Sequence, residues 1–271
     1  MVKTIFEQSE LKYIKENAAM MTYSEIADEL NKFNTIKKTE RQVRAKGRAL
    51  GVDKKKQHFN NRYFKEINTR EKAYWLGFIF ADGYVVFNPK RRNYEVSIEL
   101  NSIDREHLEK FNRAIGGDIE IATRISKDRL IDGVFVKGGV PNSVIRIYSR
   151  PMAEDLIALN VVPNKTYKTE YPKVNDEFFL DFLRGFVDGD GHIDSKGIAI
   201  TNPNYECLNW IRESLVNYAV WGNIYCEKKW KCRYATNVSS TPILTKLLYK
   251  NSPVYLERKF NQAIQINNTV A

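Results

Sequence analysis

Two stretches of this 271-residue chain are apolar almost all the way round: YWLGFIFADG at 74–83 and FLRGFVDGDG at 182–191. Elsewhere hydrophobic positions recur with clear periods. Apolar residues three and four apart predict helices in SELKYIKENA (Leu11, Ile14), TYSEIADELN (Ile26, Ala27, Leu30) and KKTERQVRAKGRALGV (Val43, Leu50). Ser9, Thr22 and Thr39 suit the N-cap positions of these helices, and Gly51 suits the end of the third. Three short helices with tight links predict a helix-turn-helix-like module over 1–53. The polar, basic stretch KKKQHFNNRYFKEINTR, 54–70, reads as a linker or arm.

The first apolar run leads into YVVFNPKRRNYEVSIELN, two alternating stretches broken at Asn88-Pro89, which predicts a hairpin. DREHLEKFNRAIG places Leu108, Phe111 and Ile115 on one helix face. DIEIATRIS and SVIRIYS read as strands with a Gly-rich connection at 132–142 between them, and RPMAEDLIALNV reads as a helix with Pro151 in its first turn. The second run repeats this order. GHIDS and GIAITN are strands, PNYECLNWIRESLVNYA is a helix facing inward through Leu208, Ile211 and Leu215, GNIYCEKK and CRYATNVSS are strands, and TPILTKLLYKN is a helix. The chain therefore carries an internal αββαββ repeat, with Asp82 and Asp190 standing 108 positions apart. The expected class is α+β, with a small three-helix domain ahead of two pseudo-symmetric halves at 71–168 and 169–271.

Charge sharpens this picture. There are 43 Lys plus Arg against 33 Asp plus Glu, a net charge of +10, which favours a polyanionic partner, nucleic acid before an acidic membrane surface. Arg41, Arg44, Lys46 and Arg48 concentrate on the third helix, and Lys54, Lys55 and Lys56 follow it. Such a helix suits a DNA major groove; the same residues also suit the solvated face of a bundle. Three cysteines without paired short spacing and three scattered histidines argue against a disulfide scaffold and a structural zinc site. The N-terminal MVKTIFEQSE lacks a signal-peptide core and no run of eighteen apolar residues occurs, so a soluble, reduced, intracellular protein is expected. Trp221 and Trp230 are expected to pack in the core or on a sheet face.

The two apolar runs carry the chemistry. Gly77 and Ala81, like Gly185 and Gly189, are four apart and share one helix face. Each interior Gly costs about 1 kcal/mol of helix propensity, an expense that close helix–helix packing offsets. Trp75, Phe78, Ile79, Phe182, Phe186 and Val187 can fill the flanks. Each run ends in Asp-Gly, so Asp82 and Asp190 stand at the C-terminal feet of their helices. A carboxylate there opposes the helix dipole by a few tenths to about 1 kcal/mol, and side-by-side packing adds like-charge repulsion. A divalent cation removes both penalties, and oxygen ligands suit magnesium, or manganese. Paired carboxylates around such an ion are the machinery of metal-assisted phosphodiester hydrolysis.

WLGFIFADG and LRGFVDGDG resemble the signature of the LAGLIDADG homing endonucleases in their single-chain, two-motif form, and the likeness extends over roughly 70–260. The resemblance implies a saddle of two four-stranded sheets along double-stranded DNA, with the motif helices at its centre. It implies metal ligation by Asp82 and Asp190 with the backbone carbonyls of Ala81 and Gly189, a long asymmetric target, a monomer, and cutting of both strands across the minor groove. Departures are Trp75-Leu76 at the start of the first motif, Phe80 at its sixth position, and Arg184 at the second position of the other. Arg184 is expected at the surface. The resemblance also implies a basic residue near each active centre, after the last helix of each half; Lys165 in VVPNKT and Lys259 in YLERKF stand in those places, and both also suit the surface. DNA readers are expected on strands and their loops: Lys90, Arg91, Arg92, Tyr94, Arg124 and Lys127 in the first half, and Ser195, Lys196, Asn202, Lys228, Lys229, Lys231, Arg233 and Asn237 in the second. The alternative is a binding module without cleavage, a transcription regulator or an RNA maturase, for which RNA is a partner. The ending NNTVA lacks a His-Asn pair, which favours a free-standing or intron-encoded protein over an intein.

Overall fold

The computed structural model describes residues 6–18, 21, 23–52, 57–125, 128–131, 134–163, 170–228 and 231–269. The chain divides between Gln57 and His58 into two compact units. In the first, α1 (Gln8–Asn17), α2 (Tyr23–Phe33) and α3 (Glu40–Ala49) surround a core of Ile14, Ala18, Ile26, Ala27, Leu30 and Val43. The N-cap of α1 is Glu7, two residues before the expected Ser9, and its N–H donates to Glu10 Oε2 at 2.7 Å. Thr39 caps α3 as its sequence predicts, accepting from the Gln42 N–H. Gly51 ends it at φ +70°, a conformation that disfavours side chains. Thr22 lies outside the described residues.

The second unit runs α4 (Arg70–Asp82), β1 (Gly83–Asn88), β2 (Asn93–Asn101), α5 (Arg105–Ala114), β3 (Ile121–Ile125), β4 (Arg129–Ile131), β5 (Val134–Val136), β6 (Pro141–Ile147) and α6 (Arg150–Ala158). It continues α7 (Phe179–Asp190), β7 (Gly191–Asp194), β8 (Gly197–Asn202), α8 (Tyr205–Val216), β9 (Gly222–Lys228), β10 (Lys231–Thr236), α9 (Thr241–Tyr249) and α10 (Glu257–Thr269). Two antiparallel sheets result, ordered β1-β2-β6-β3 and β7-β8-β10-β9. Their topologies coincide when β3 and β6 are matched to β9 and β10, which is the predicted repeat. The strands bury alternate residues: Val85, Val96, Ile98, Leu100, Ile145 and Ile147 face the helices, while Tyr84, Glu99 and Arg124 are exposed on the other side.

Several expectations need correction. The Gly-rich connection between β3 and β6 holds a short hairpin, β4–β5. Helix α10 extends the second half beyond the predicted last helix. The stretch taken for a linker belongs to the second unit from His58 on: His58 N–H donates to Asp118 Oδ1 and Asp118 N–H to His58 O, Asn60 N–H donates to Ile115 O, and Tyr63 and Phe64 are buried. Cys226 and Cys232 form a disulfide across the β9–β10 hairpin, contrary to the reduced state expected; it staples one turn and is no scaffold. Trp221 is 52% exposed, so it is no core residue, and Trp230 lies outside the described residues. Among the described residues no helix is long and apolar enough to cross a membrane.

Candidate active site

The two motif helices meet backbone to backbone. A Cβ built on Gly77 would overlap the carbonyl oxygen of Phe182, and one on Gly185 would overlap that of Tyr74. One turn further along, a Cβ on Gly189 would collide with the Ala81 methyl group. The small residues four apart are therefore the contact seam. Aromatic rings pack beside it, with Phe80 lying 5.3 Å from Phe186 and 6.3 Å from Phe182.

Each helix passes straight into a strand. Gly83 and Gly191 are extended, at φ −77° and −80°, so no left-handed turn is involved. Glycine is needed there for clearance: a Cβ would stand 2.5 Å from the Ile79 or Val187 carbonyl oxygen of the preceding turn. This abrupt exit leaves Asp82 and Asp190 at the helix ends, both exposed. The feet of the helices converge. A Cβ on Gly189 would lie 3.5 Å from Asp82 Oδ2, which puts the carboxylate of one helix against the backbone of the residue beside Asp190.

Lys259 joins them. It is only 3% exposed, and its amine donates to the Gly191 carbonyl. Burial pushes its pKa down to about 8, helped by Arg258 and opposed by Asp188 and Asp82. Its expected first-half counterpart, Lys165, lies outside the described residues.

Behind this cleft lies a polar network that the sequence reading missed. Asp188 is fully buried; its Oδ2 accepts from Tyr74 Oη at 2.7 Å and Leu256 N–H at 2.8 Å, and its Oδ1 from Tyr249 Oη at 2.6 Å. Burial raises its pKa to about 6 against the pull of those three bonds. Tyr74 Oη also lies 2.9 Å from His107 Nε2, whose pKa burial pushes down to about 3. Arg184, expected at the surface, is 1% exposed. It donates to Asp181 Oδ1 at 2.6 Å, Val254 O at 2.8 Å and Leu248 O at 3.0 Å, and lies over the Tyr74 ring. Asp181 also pairs with Arg70 at 3.0 Å. A buried guanidinium persists only when paired and hydrogen-bonded, and here it is both. One signal was available: Asp181, Arg184 and Asp188 are spaced i, i+3, i+7, which puts them on one face of an otherwise apolar helix.

The groups at the helix feet that could hold a metal are oxygens: the carboxylates of Asp82 and Asp190 and the carbonyls of Ala81 and Gly189 in the last helical turns. That chemistry fits a hard dication. Among the described residues no cluster of three or more His, Cys, Asp or Glu forms a self-contained metal cage.

The expected DNA readers divide. Arg41, Arg44 and Arg48 are exposed on one face of α3, Arg44 pairing with Glu40; Lys46 instead is half-buried, 6.0 Å from the Phe6 ring. Lys90, Arg91 and Arg92 are exposed in the β1–β2 turn, where Arg92 adopts φ +49°. Arg124 and Arg233 are exposed on their strands, and Asn237 just after β10. Ser195 and Lys196 form an exposed turn held by Asp194 Oδ1, which accepts from Lys196 N–H at 2.8 Å. Lys228 and Lys231 pair across the tip of the β9–β10 hairpin. Tyr94 is misplaced as a reader: it packs 5.2 Å from Phe87 on the helix side of its sheet, beneath Arg150. Asn202 is committed to the turn entering α8, accepting from Asn204 N–H at 2.9 Å. Lys54, Lys55, Lys56, Lys127 and Lys229 lie outside the described residues.

No family model matches the chain. It is 24% identical over 172 residues to an uncharacterised protein of Methanocaldococcus jannaschii, covering 63% of this chain and 57% of that one. It is 29% identical over 137 residues to the endonuclease SceI small subunit of Saccharomyces cerevisiae, covering 41% of this chain and 27% of that one. The chain thus spans about half or less of the length of these curated relatives. Among solved structures, I-DmoI in complex with DNA and Ca superposes at TM-score 0.50 with 15% identity, covering 77% of this chain and 99% of that one. The homing endonuclease I-WcaI bound to its DNA recognition sequence superposes at 0.51 with 11% identity, covering 74% and 90%. At these identities the likeness establishes the fold: a mixed helix-and-sheet architecture of two four-stranded antiparallel sheets, shared with the LAGLIDADG homing endonucleases.

Proposed function

We propose that this chain is a site-specific double-strand DNA endonuclease that hydrolyses phosphodiesters with a divalent metal at the junction of α4 and α7. One observation carries the reading: two exposed carboxylates, Asp82 and Asp190, at the converging feet of a glycine-packed helix pair, with the buried amine of Lys259 beside them. The structural neighbours named above were solved with DNA, and one of the curated relatives is an endonuclease subunit, which supports the same substrate class.

Asp82 and Asp190, with the carbonyls of Ala81 and Gly189, would hold magnesium or manganese. Bound there, such an ion supplies an activated water and neutralises charge on the phosphodiester oxygens. The chain's own residues set the stage. The glycine seam holds the two acids at a fixed separation, so that each serves one strand. Lys259, anchored at Gly191 O, places a cationic amine where negative charge grows on the phosphate. Lys165 is its counterpart in the first half. Arg124 and Arg233 on the open sheet faces suit base edges, while the turn at Lys90–Arg92 suits phosphates. The two sheets differ in sequence, so the target is asymmetric, and one chain supplies both motif helices, so a monomer suffices. The 1–53 module extends the footprint through Arg41, Arg44 and Arg48.

The test is cleavage mapping on a library of duplex sites with magnesium, comparing wild type with Asp82→Asn and Asp190→Asn. Each variant is expected to bind its site while cutting at least roughly a hundredfold more slowly. Wild-type rates in both variants would overturn the assignment, and binding without any cut by the wild type would favour a non-cleaving binder.

A further inference from the structure

We infer that Asp188 is a positioning residue that sets Lys259 in the cleft, acting through the first turn of α10. This rests on the endonuclease reading for its consequence, though not for its geometry.

Asp188 sits two residues before the cleft acid Asp190 yet points away from solvent into three hydrogen bonds. A buried carboxylate is tolerated only where its acceptor sites are filled, so these bonds are obligatory. One donor is the backbone N–H of Leu256, the residue just before α10. Leu256 O in turn accepts from the N–H groups of Lys259 and Phe260, both at 3.0 Å. Asp188 therefore pins the N-terminus of α10, where a carboxylate is also favoured by the helix dipole. Lys259, on the first turn of that helix, sends its amine back to Gly191 O, three residues beyond Asp188. A closed bracket results, running from α7 to the start of α10, and through Lys259 to the strand that follows α7. Arg184 donates to Leu248 O near the end of α9 and to Val254 O in the intervening loop, and Tyr249 at the end of α9 donates to Asp188.

Shape alone does not call for an acid here. The equivalent position of the first motif is Phe80, 3% exposed and packed on Phe186. An apolar side chain satisfies the helix pair in that half, so the acid in the other half answers to the groups it binds.

The test is amine acylation of the full chain with acetic anhydride, read by peptide mass spectrometry, with exposed Lys12 as internal reference. In wild type Lys259 is expected to label roughly tenfold more slowly than Lys12, and Asp188→Leu to erase most of that protection while Asp188→Asn, which keeps one accepting oxygen, restores part of it. Unchanged Lys259 labelling in folded Asp188→Leu overturns the inference. If that variant does not fold, Asp188→Asn decides in its place, and Lys259 labelling unchanged from wild type overturns the inference. In single-turnover cleavage, Asp188→Leu and Lys259→Met should each slow the cut at unchanged DNA affinity, and the double variant should be no slower than Lys259→Met; additive losses overturn the inference. A wild type that cuts nothing sinks the endonuclease reading and leaves the labelling result standing.

Discussion

Helices α4 and α7 share a seam and differ in almost everything beside it. Along the seam Gly77 and Ala81 face Gly185 and Gly189, and the repeat is nearly symmetric. On the adjoining stripe, α4 carries Ala73, Leu76 and Phe80, whereas α7 carries Asp181, Arg184 and Asp188, all six of them buried. The ring pair Phe80–Phe182 in one half becomes the hydrogen-bonded pair Asp188–Tyr74 in the other. The seam obeys symmetry because two backbones cannot approach past a side chain. The stripe does not, because α7 has further backbone to satisfy in the loop between α9 and α10. A symmetric repeat can thus keep its packing while one copy takes on a polar task.

Four outcomes would break or sharpen this contrast. Substituting Ala at Gly77 or Gly185 forces a methyl group into a backbone carbonyl and should cost upwards of about 3 kcal/mol in denaturant unfolding, equally in the two halves. Unequal losses would mean the seam is not symmetric. Arg184→Met leaves Asp181 with Arg70 alone and orphans the carbonyls of Leu248 and Val254, so a loss of about 3 kcal/mol is expected. Leu76→Met, its mirror in α4, should lose less than about 1.5 kcal/mol.

The third outcome is a pH dependence. His107 is held neutral in the fold, its pKa moved from an ordinary 6.5 to about 3, mainly by burial. Below about 6.5 the unfolded chain takes up a proton that the folded chain refuses. Stability is therefore lost as pH falls toward 3, by on the order of 1.4 kcal/mol per pH unit from this group. Urea melts of wild type and His107→Gln should diverge across that window, and parallel profiles would exclude the effect. The smallest effect is expected at the Cys226–Cys232 staple. Closing so short a loop restricts the unfolded chain little, so reduction should lower stability by about 2 kcal/mol at most. Edge strand β3 of the first half, which has no cysteine, should be unaffected, as hydrogen exchange on β3 and β9 would report.

Much of the architecture was legible because it is periodic. Two-residue alternation marked the strands of both sheets, and the 108-residue offset of two Asp-Gly endings exposed the repeat. The small residues at Gly77, Ala81, Gly185 and Gly189 announced the seam. Single side chains were less legible. Arg184 was assigned to solvent from its charge, Tyr94 and Asn202 to DNA from their chemistry, and 54–70, which from His58 on packs into the second unit, to a linker from its polarity. Each of these errors has the same source: a polar group's destination depends on partners distant in sequence, such as Val254 for Arg184 and Ile115 for Asn60.

The amino-acid sequence by itself therefore determined the repeat, the α+β class, the contact seam and the pair of acids at its foot, since periodicity and residue size act locally along the chain. Only the tertiary structure decided which charges are buried, that glycine ends each motif helix for clearance rather than for a turn, and that a lysine 177 positions after Asp82 returns to its side. Those outcomes depend on desolvation and hydrogen-bond pairing, and both are properties of surroundings that exist only once the chain has folded.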